Sequence, residues 1–294
     1  MKNKFRGTGV ALVTPFANGA VDFEGLKRVI EHCIEGGVEY LVSLGTTGES
    51  ATLTPTESLE VLEFTTKTIA GRVLLVAGFG GNNTQASIEK IKSFHFNGID
   101  AILSVSPYYN KPTQEGIYQH YMALAEAAPR PIIIYNVPSR TGSNITAETT
   151  LRLAHASEKF IAVKEASGDL IQCMNIVKGK PDNFLVLSGD DAITLPMLSF
   201  GIDGVISVVA NAFPRPFSDM VRHGLTGDFK AASKLHFDLL KIIDLLFVEG
   251  NPAGVKAALE LQNICSKEVR LPLVELSDKN YINMKNAIMG LSDF

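Results

Sequence analysis

The chain has 294 residues, 46% of them hydrophobic, and a formal net charge of −4 with both signs interspersed. That length suits one large α/β barrel or two medium domains with a sizeable core. The absence of a Lys/Arg cluster argues against nucleic acid as a partner, no apolar run is long enough to cross a membrane, and Cys33, Cys173 and Cys265 fall in no metal or redox spacing, so a reduced cytoplasmic protein is expected.

The start, Met1-Lys2-Asn3-Lys4-Phe5-Arg6, is basic, but the apolar run at 10–13 stops at Thr14-Pro15 and is too short for a signal-peptide core. Residues 10–13 read as a first strand. Asp22 then caps a helix with Phe23, Leu26, Val29, Ile30, Cys33 and Ile34 on one face, ended by Gly36-Gly37. A second strand, 38–44, runs into Gly45-Thr46-Thr47-Gly48-Glu49. In Thr54-Pro55-Thr56-Glu57 the threonine can cap, the proline suits a first turn and the glutamate completes a capping box. Strands follow at 73–77, 101–105, 132–135, 160–164, 184–187 and 204–208, with a helix from about Thr84 and helix-like segments between the others.

Eight short buried strands at intervals of roughly 20–35 residues predict a (β/α)₈ TIM barrel rather than an open doubly wound sheet. Gly-x-Gly-x-x-Gly is absent after the first strand, which weakens a dinucleotide-binding fold further. Beyond Phe217 the pattern is purely helical, with segments near 228–247, 252–261 and 278–288. The expected division is a catalytic barrel over 1–224 and an appended C-terminal helical part over 225–294. The polar and glycine-rich punctuation gathers at the carboxyl ends of the strands, the catalytic rim of such barrels. Thr14, Thr46, Thr47, Asn82, Tyr109, Tyr135, Lys164, Gly189 and Ile206 would face or border that mouth.

Lys164 ends the apolar run 160–163, with Glu165 beside it. Desolvation there favours the neutral amine, a nucleophile that forms Schiff bases with ketones. A surface lysine neutralised by Glu165 is the plainer alternative. The Gly45-Thr46-Thr47-Gly48-Glu49 turn has hydroxyls and amides suited to a small carboxylate, or is simply a tight turn. Tyr135 could move protons at a reacting carbonyl or be a core tyrosine. Tyr109 alone reads as an exposed interface aromatic, and Arg140 as either a carboxylate clamp or half of a surface ion pair. The six histidines are dispersed and none lies in a His-Glu-x-x-His spacing, so no metal is expected.

Taken together, Gly45-Thr46-Thr47-Gly48-Glu49-Ser50, Ser106-Pro107-Tyr108-Tyr109-Asn110-Lys111-Pro112, Tyr135-Asn136-Val137-Pro138-Ser139-Arg140-Thr141-Gly142, Val163-Lys164-Glu165-Ala166-Ser167-Gly168 and Ser188-Gly189-Asp190-Asp191 resemble the dihydrodipicolinate synthase family, in order and over essentially the whole chain. The resemblance implies a class I Schiff-base aldolase on a TIM barrel with a helical extension, acting on pyruvate and L-aspartate 4-semialdehyde in lysine and diaminopimelate biosynthesis. It implies that Lys164 forms the imine, that Tyr135, Thr46 and Tyr109 relay protons, and that Thr47 holds the pyruvate carboxylate. Arg140, Gly189 and Ile206 complete the substrate-binding set, Arg140 receiving the semialdehyde carboxylate and Ile206 contacting pyruvate through its backbone. No metal or organic cofactor is required. A homotetramer of two tight dimers is implied, with Tyr109 reaching into a neighbour's site.

The lysine and the Gly-Thr-Thr-Gly-Glu turn are shared with sister aldolases of the N-acetylneuraminate lyase and sugar-acid types, and the stretch Pro138-Ser139-Arg140-Thr141-Gly142 resembles the synthase. A non-catalytic keto-acid sensor is the third alternative, disfavoured by the intact Lys164, Tyr135, Thr46 and Tyr109 set. Ser50, Ala51, Asn82 and Tyr108 match a lysine-effector site of some members. Pro55, Ser58 and Ala86 stand where one lysine-sensitive type carries histidines and a glutamate, so weak or absent lysine inhibition is expected. Asn251-Pro252-Ala253-Gly254-Val255-Lys256 also departs from the family pattern, in the C-terminal part, where no catalytic consequence is expected.

Overall fold

Aliphatic runs with no polar face must be covered on both sides, and a closed parallel sheet ringed by helices does that. The computed structural model describes residues 4–291; residues 1–3, part of the basic start, and 292–294 lie outside the described residues. The chain opens with β1 (Gly7–Ala11) and an antiparallel ribbon of β2 (Phe16–Ala17) and β3 (Ala20–Val21). Strand and helix then alternate: α1 (Phe23–Glu35), β4 (Tyr40–Ser43), α2 (Pro55–Ile69), β5 (Leu74–Gly78), α3 (Thr84–Ser93), β6 (Ala101–Val105), α4 (Gln114–Ala127) and β7 (Ile132–Asn136). A single-turn helix, α5 (Pro138–Thr141), precedes α6 (Ala147–Ala156), β8 (Phe160–Glu165), α7 (Leu170–Gly179), β9 (Leu185–Ser188), α8 (Thr194–Ser199) and β10 (Gly204–Ser207). After a 3₁₀ turn (Val209–Asn211) come α9 (Pro214–Thr226), α10 (Phe229–Phe247), α11 (Ala253–Leu261) and α12 (Asp278–Met289).

Strand order is β1-β10-β9-β8-β7-β6-β5-β4, closed by a β1–β4 pair, with every pair parallel. This is the TIM barrel that the strand spacing predicts. Caps follow the sequence signals too: Asp22 accepts from the Gly25 N–H, and Thr54 and Glu57 form the reciprocal capping box. Residue 224, the expected end of the barrel part, falls in the last turn of α9.

Two elements differ from expectation. The first strand starts at Gly7 rather than at residue 10, because glycine is required where β1 passes Tyr40; a Cβ on Gly9 would lie 2.1 Å from the Tyr40 ring. The ribbon β2–β3 is additional. Its turn, Asn18-Gly19, has φ of +54° and +81°, the two positive values that a type I′ hairpin needs.

Two apolar layers result. Outward strand residues such as Ile134, Val163 and Val186 pack against the helices, while Val42, Val76, Leu103, Ile133, Ala162, Leu187 and Ile206 fill the barrel. At the carboxyl end of the barrel, Asn211 accepts from the Val13 N–H at 3.1 Å and donates to Ala11 O at 2.8 Å. The buried Asp191 carboxylate accepts from the Val208 and Val209 N–H groups, each at 2.9 Å, and desolvation pushes its pKa up to about 6 against those bonds.

The C-terminal helices are fastened to this end by buried charge. Lys256 on α11 is fully buried and pairs with Glu49; it also donates to Glu268 O at 2.8 Å and lies 4.1 Å from the Phe16 ring centroid. Burial lowers its pKa, and Glu49 opposes that shift. Arg270 grips Glu57 through two bonds of 2.9 and 2.6 Å and sits 4.3 Å from the same Phe16 ring. That grip holds the Glu57 carboxyl down at about 2. Breaking one partner of a buried pair strands the other. Lys256→Met is therefore expected to destabilise the fold by about 3–5 kcal/mol, with much of the loss recovered in the double variant Glu49→Gln/Lys256→Met. Denaturant unfolding of both variants checks this, and an unchanged midpoint for the single variant would remove the pair's structural role.

Candidate active site

Successive side chains on a strand point to opposite faces. On β8 this turns Ala162 and Lys164 into the barrel and Val163 and Glu165 outward. On the neighbouring β7, Ile133 and Tyr135 point inward. Tyr135 pairs with Lys164 in register, and the Lys164 Nζ lies 4.6 Å from the Tyr135 ring centroid. Both are buried, Lys164 at 5% exposure and Tyr135 at 7%. Glu165 does not neutralise the lysine. Its carboxylate accepts from Asn136 Nδ2 at 3.0 and 3.1 Å, from the Ser167 N–H at 2.8 Å and from Gln172 Nε2 at 3.0 Å. Burial raises the Glu165 pKa, and these three donors counter it. Among the described residues no ion pair involves Lys164.

Gly189, just after β9, clears space for the amine's stem; a Cβ there would meet Ala166 at 2.7 Å and the Lys164 Cε at 3.0 Å. The turn after β4 folds back through Gly48 N–H to Gly45 O (3.1 Å) and Glu49 N–H to Thr46 O (3.0 Å). It brings Thr46 and Thr47 to the same mouth. Arg140, carried by α5, is exposed and makes no ion pair among the described residues, so the surface-pair alternative has no partner here.

A cavity of about 460 Å³ collects Thr46, Thr47, Tyr135, Arg140, Lys164 and Gly189. Six of the sequence-derived residues thus meet in one space. Val137, Ala166, Asp190, Ala192 and Val208 add barrel walls, and Ile243, Asp244, Phe247, Val248 and Asn251 close one side from the C-terminal part. An adjoining cavity of about 490 Å³ shares Thr46, Tyr135, Arg140 and Asn251 and includes Ser50, Ala51, Ser58, Lys90 and Tyr108.

Three residues lie apart. Tyr109 is 86% exposed at φ +75° and lines neither cavity. Ile206 is buried within the barrel and its side chain lines neither. Asn82 is exposed and lines neither. Conversely, Asn251 belongs to the stretch set aside as remote, yet its Nδ2 donates to the Thr47 Oγ1 at 3.0 Å across 204 positions of sequence. Only the Asn251-Pro252 punctuation hinted at it, and that marks a turn without saying where the turn docks. In the sequence Glu49 and Asp191 stand only within turn motifs, and no local signal marks Asn211.

A desolvated primary amine, an adjacent phenol, two hydroxyls and a cation at the rim can condense with a keto acid and move protons at the new bond. Comparisons with known proteins agree with that chemistry. A model of the dihydrodipicolinate synthetase family matches residues 4–290. The 4-hydroxy-tetrahydrodipicolinate synthase of Parabacteroides distasonis is 49% identical, covering 98% of this chain and 97% of its own. That of Flavobacterium psychrophilum is 52% identical over 93% and 94%. The crystal structure of dihydrodipicolinate synthase from Aquifex aeolicus superposes with a TM-score of 0.94 at 43% identity, covering 97% of both chains. A structure described as the first monomeric dihydrodipicolinate synthase variant gives 0.95 at 39%, covering 98% of both. With a family match over almost its whole length and relatives at about half identity, the chain belongs to the dihydrodipicolinate synthetase family.

Proposed function

We propose that this chain catalyses the 4-hydroxy-tetrahydrodipicolinate synthase reaction, condensing pyruvate with L-aspartate 4-semialdehyde through an imine on Lys164, in the route to diaminopimelate and lysine. The strongest support is the buried Lys164 amine, turned into a cavity beside Tyr135 and paired with no carboxylate among the described residues. The lone pair of Nζ attacks the keto carbon, and water leaves to give the iminium. That iminium is an electron sink, so a proton departs from the methyl group and an enamine forms. The enamine carbon attacks the aldehyde. The second substrate's amine then attacks the imine carbon, closes the ring and frees Lys164. Every step moves protons around the same few atoms, and Thr46 and Tyr135, which line the cavity, would relay them. Thr47 would hold the pyruvate carboxylate, with Gly189 and the Ile206 backbone against the same substrate. Arg140 would receive the carboxylate of the semialdehyde.

We read Tyr109 as the third relay hydroxyl, supplied to a neighbouring protomer in a homotetramer of two tight dimers. An 86% exposed tyrosine that lines neither of the two cavities described fits that role. The barrel over 1–224 would carry the chemistry and 225–294 would cover it. Residence in the cytoplasm agrees with three buried, unpaired cysteines. In the second cavity, which Ser50, Ala51 and Tyr108 line, Glu49 is the one carboxylate among the described residues, and Lys256 and the Arg270 N–H already engage it. Lys90 adds a cation to the same wall. An effector ammonium would therefore find no free counter-charge.

Borohydride reduction in the presence of pyruvate should fix a three-carbon adduct on Lys164 by peptide mass analysis. Arg140→Ala should trap pyruvate within about twofold of the parent while losing about 10–100-fold in kcat/KM for the semialdehyde. Equal loss of both would take away the role given to Arg140, and no adduct would end the imine mechanism. L-Lysine is expected to inhibit more weakly than about 1 mM; saturating inhibition well below that would contradict the empty-handed second cavity. Tyr109→Ala and Lys164→Ala, each inactive alone, should regain activity when unfolded together and reassembled. Complete absence of complementation would mean that Tyr109 serves no neighbouring site.

A further inference from the structure

We propose that Asn251 is a positioning residue for Thr47, and that through it the C-terminal part sets how tightly the keto acid's carboxylate is held. The inference rests on the reading of Thr47 as the carboxylate-holding residue. Asn251 lies between α10 and α11, is 7% exposed and lines both cavities. Its Nδ2 donates to the Thr47 Oγ1 at 3.0 Å, and Thr47 is itself only 2% exposed.

A hydroxyl that accepts from an amide must direct its own hydrogen elsewhere. Among the described residues Thr47 Oγ1 has no other hydrogen bond. Asn251 thus claims the acceptor side of the hydroxyl and leaves the hydrogen available to the cavity, which makes Thr47 a donor to a carboxylate. The other end of the amide, Oδ1, is buried without a partner among the described residues. Here the contact with Thr47 is the side chain's one polar bond among the described residues.

The placement is braced from both sides. Thr47 and Glu49 sit on one turn, and Asn251 and Lys256 on one segment of the C-terminal part. Asn251 meets Thr47 while Lys256 meets Glu49. Two contacts between the same two segments restrict the swing of the Thr47 side chain more than one would.

The test measures pyruvate dependence in steady-state turnover and in borohydride trapping for Asn251→Ala, Asn251→Asp, Thr47→Val and the double variant Asn251→Ala/Thr47→Val. Asn251→Ala should raise the pyruvate KM and the trapping midpoint about tenfold, while the semialdehyde KM stays within about twofold. Asn251→Asp is isosteric. It would accept the Thr47 hydrogen and repel the substrate anion, so its loss should be larger, on the order of 100-fold. It also supplies the readout should the alanine variant not fold. The double variant should lose no more than Thr47→Val alone. Unchanged pyruvate dependence in Thr47→Val would overturn the reading of Thr47 itself. A pyruvate effect in Thr47→Val with none in the Asn251 variants would overturn only the coupling. So would additive losses in the double variant, or equal losses for both substrates.

Discussion

Everything at this site depends on which way two consecutive residues of β8 face. Strand alternation sends Lys164 inward and Glu165 outward, and a slip of one residue would exchange them. The register is held from the outside. Asn136 and Glu165 pair across β7 and β8 just beyond Tyr135 and Lys164, and Asn136 donates to both oxygens of that carboxylate. Gln172 and Ser167 add donors, and Asn144 ties Asn136 to Gln172. A buried carboxylate with four hydrogen bonds cannot leave its place cheaply. The polar network behind the sheet therefore fixes the direction of the reactive amine in front of it.

The same end of the barrel is closed by a part of the chain that contributes no strand. The α10–α11 region supplies one wall of the cavity, and its anchor is electrostatic rather than apolar alone. Phe16, at the base of the β2–β3 ribbon, offers its ring to both Lys256 and Arg270. Glu268 accepts from the Asn18 and Gly19 N–H groups at the ribbon's tip. The small ribbon thus serves as a clip between the first turn of the chain and its last quarter, which keeps Asn251 against Thr47.

Much of this was legible in the sequence because the signals are local. Periodicity, a capping box at Thr54 and Glu57, and punctuation at strand ends depend on neighbours a few residues apart. The start of β1 was hidden because glycines carry no hydrophobic signal, although their smallness is what that strand needs beside Tyr40. The ribbon's one local signal is Asn18-Gly19, since its two-residue strands are too short to show a periodicity. Asn251 and Lys256 were not readable, since their partners Thr47 and Glu49 are over two hundred residues away. An exposed Tyr109 and a wholly buried Ile206 show the limit of strand-end placement. Being at the rim does not decide whether a side chain enters the cavity.

The treatment of the buried and half-buried cations at this end of the barrel argues that the Lys164 environment is selected rather than incidental. Lys256 is given a carboxylate, a carbonyl and an aromatic face. Arg270 receives a bidentate carboxylate and the same ring. Lys164 is nearly as buried as Lys256 and, among the described residues, gets only the Tyr135 ring. A chain able to satisfy its structural lysine so fully has the means to satisfy a second one. Stability alone gives no reason to leave an amine in a cavity without a counter-ion. Chemistry does: a carboxylate bound to Nζ would hold the proton that must leave before the nitrogen can attack a carbonyl.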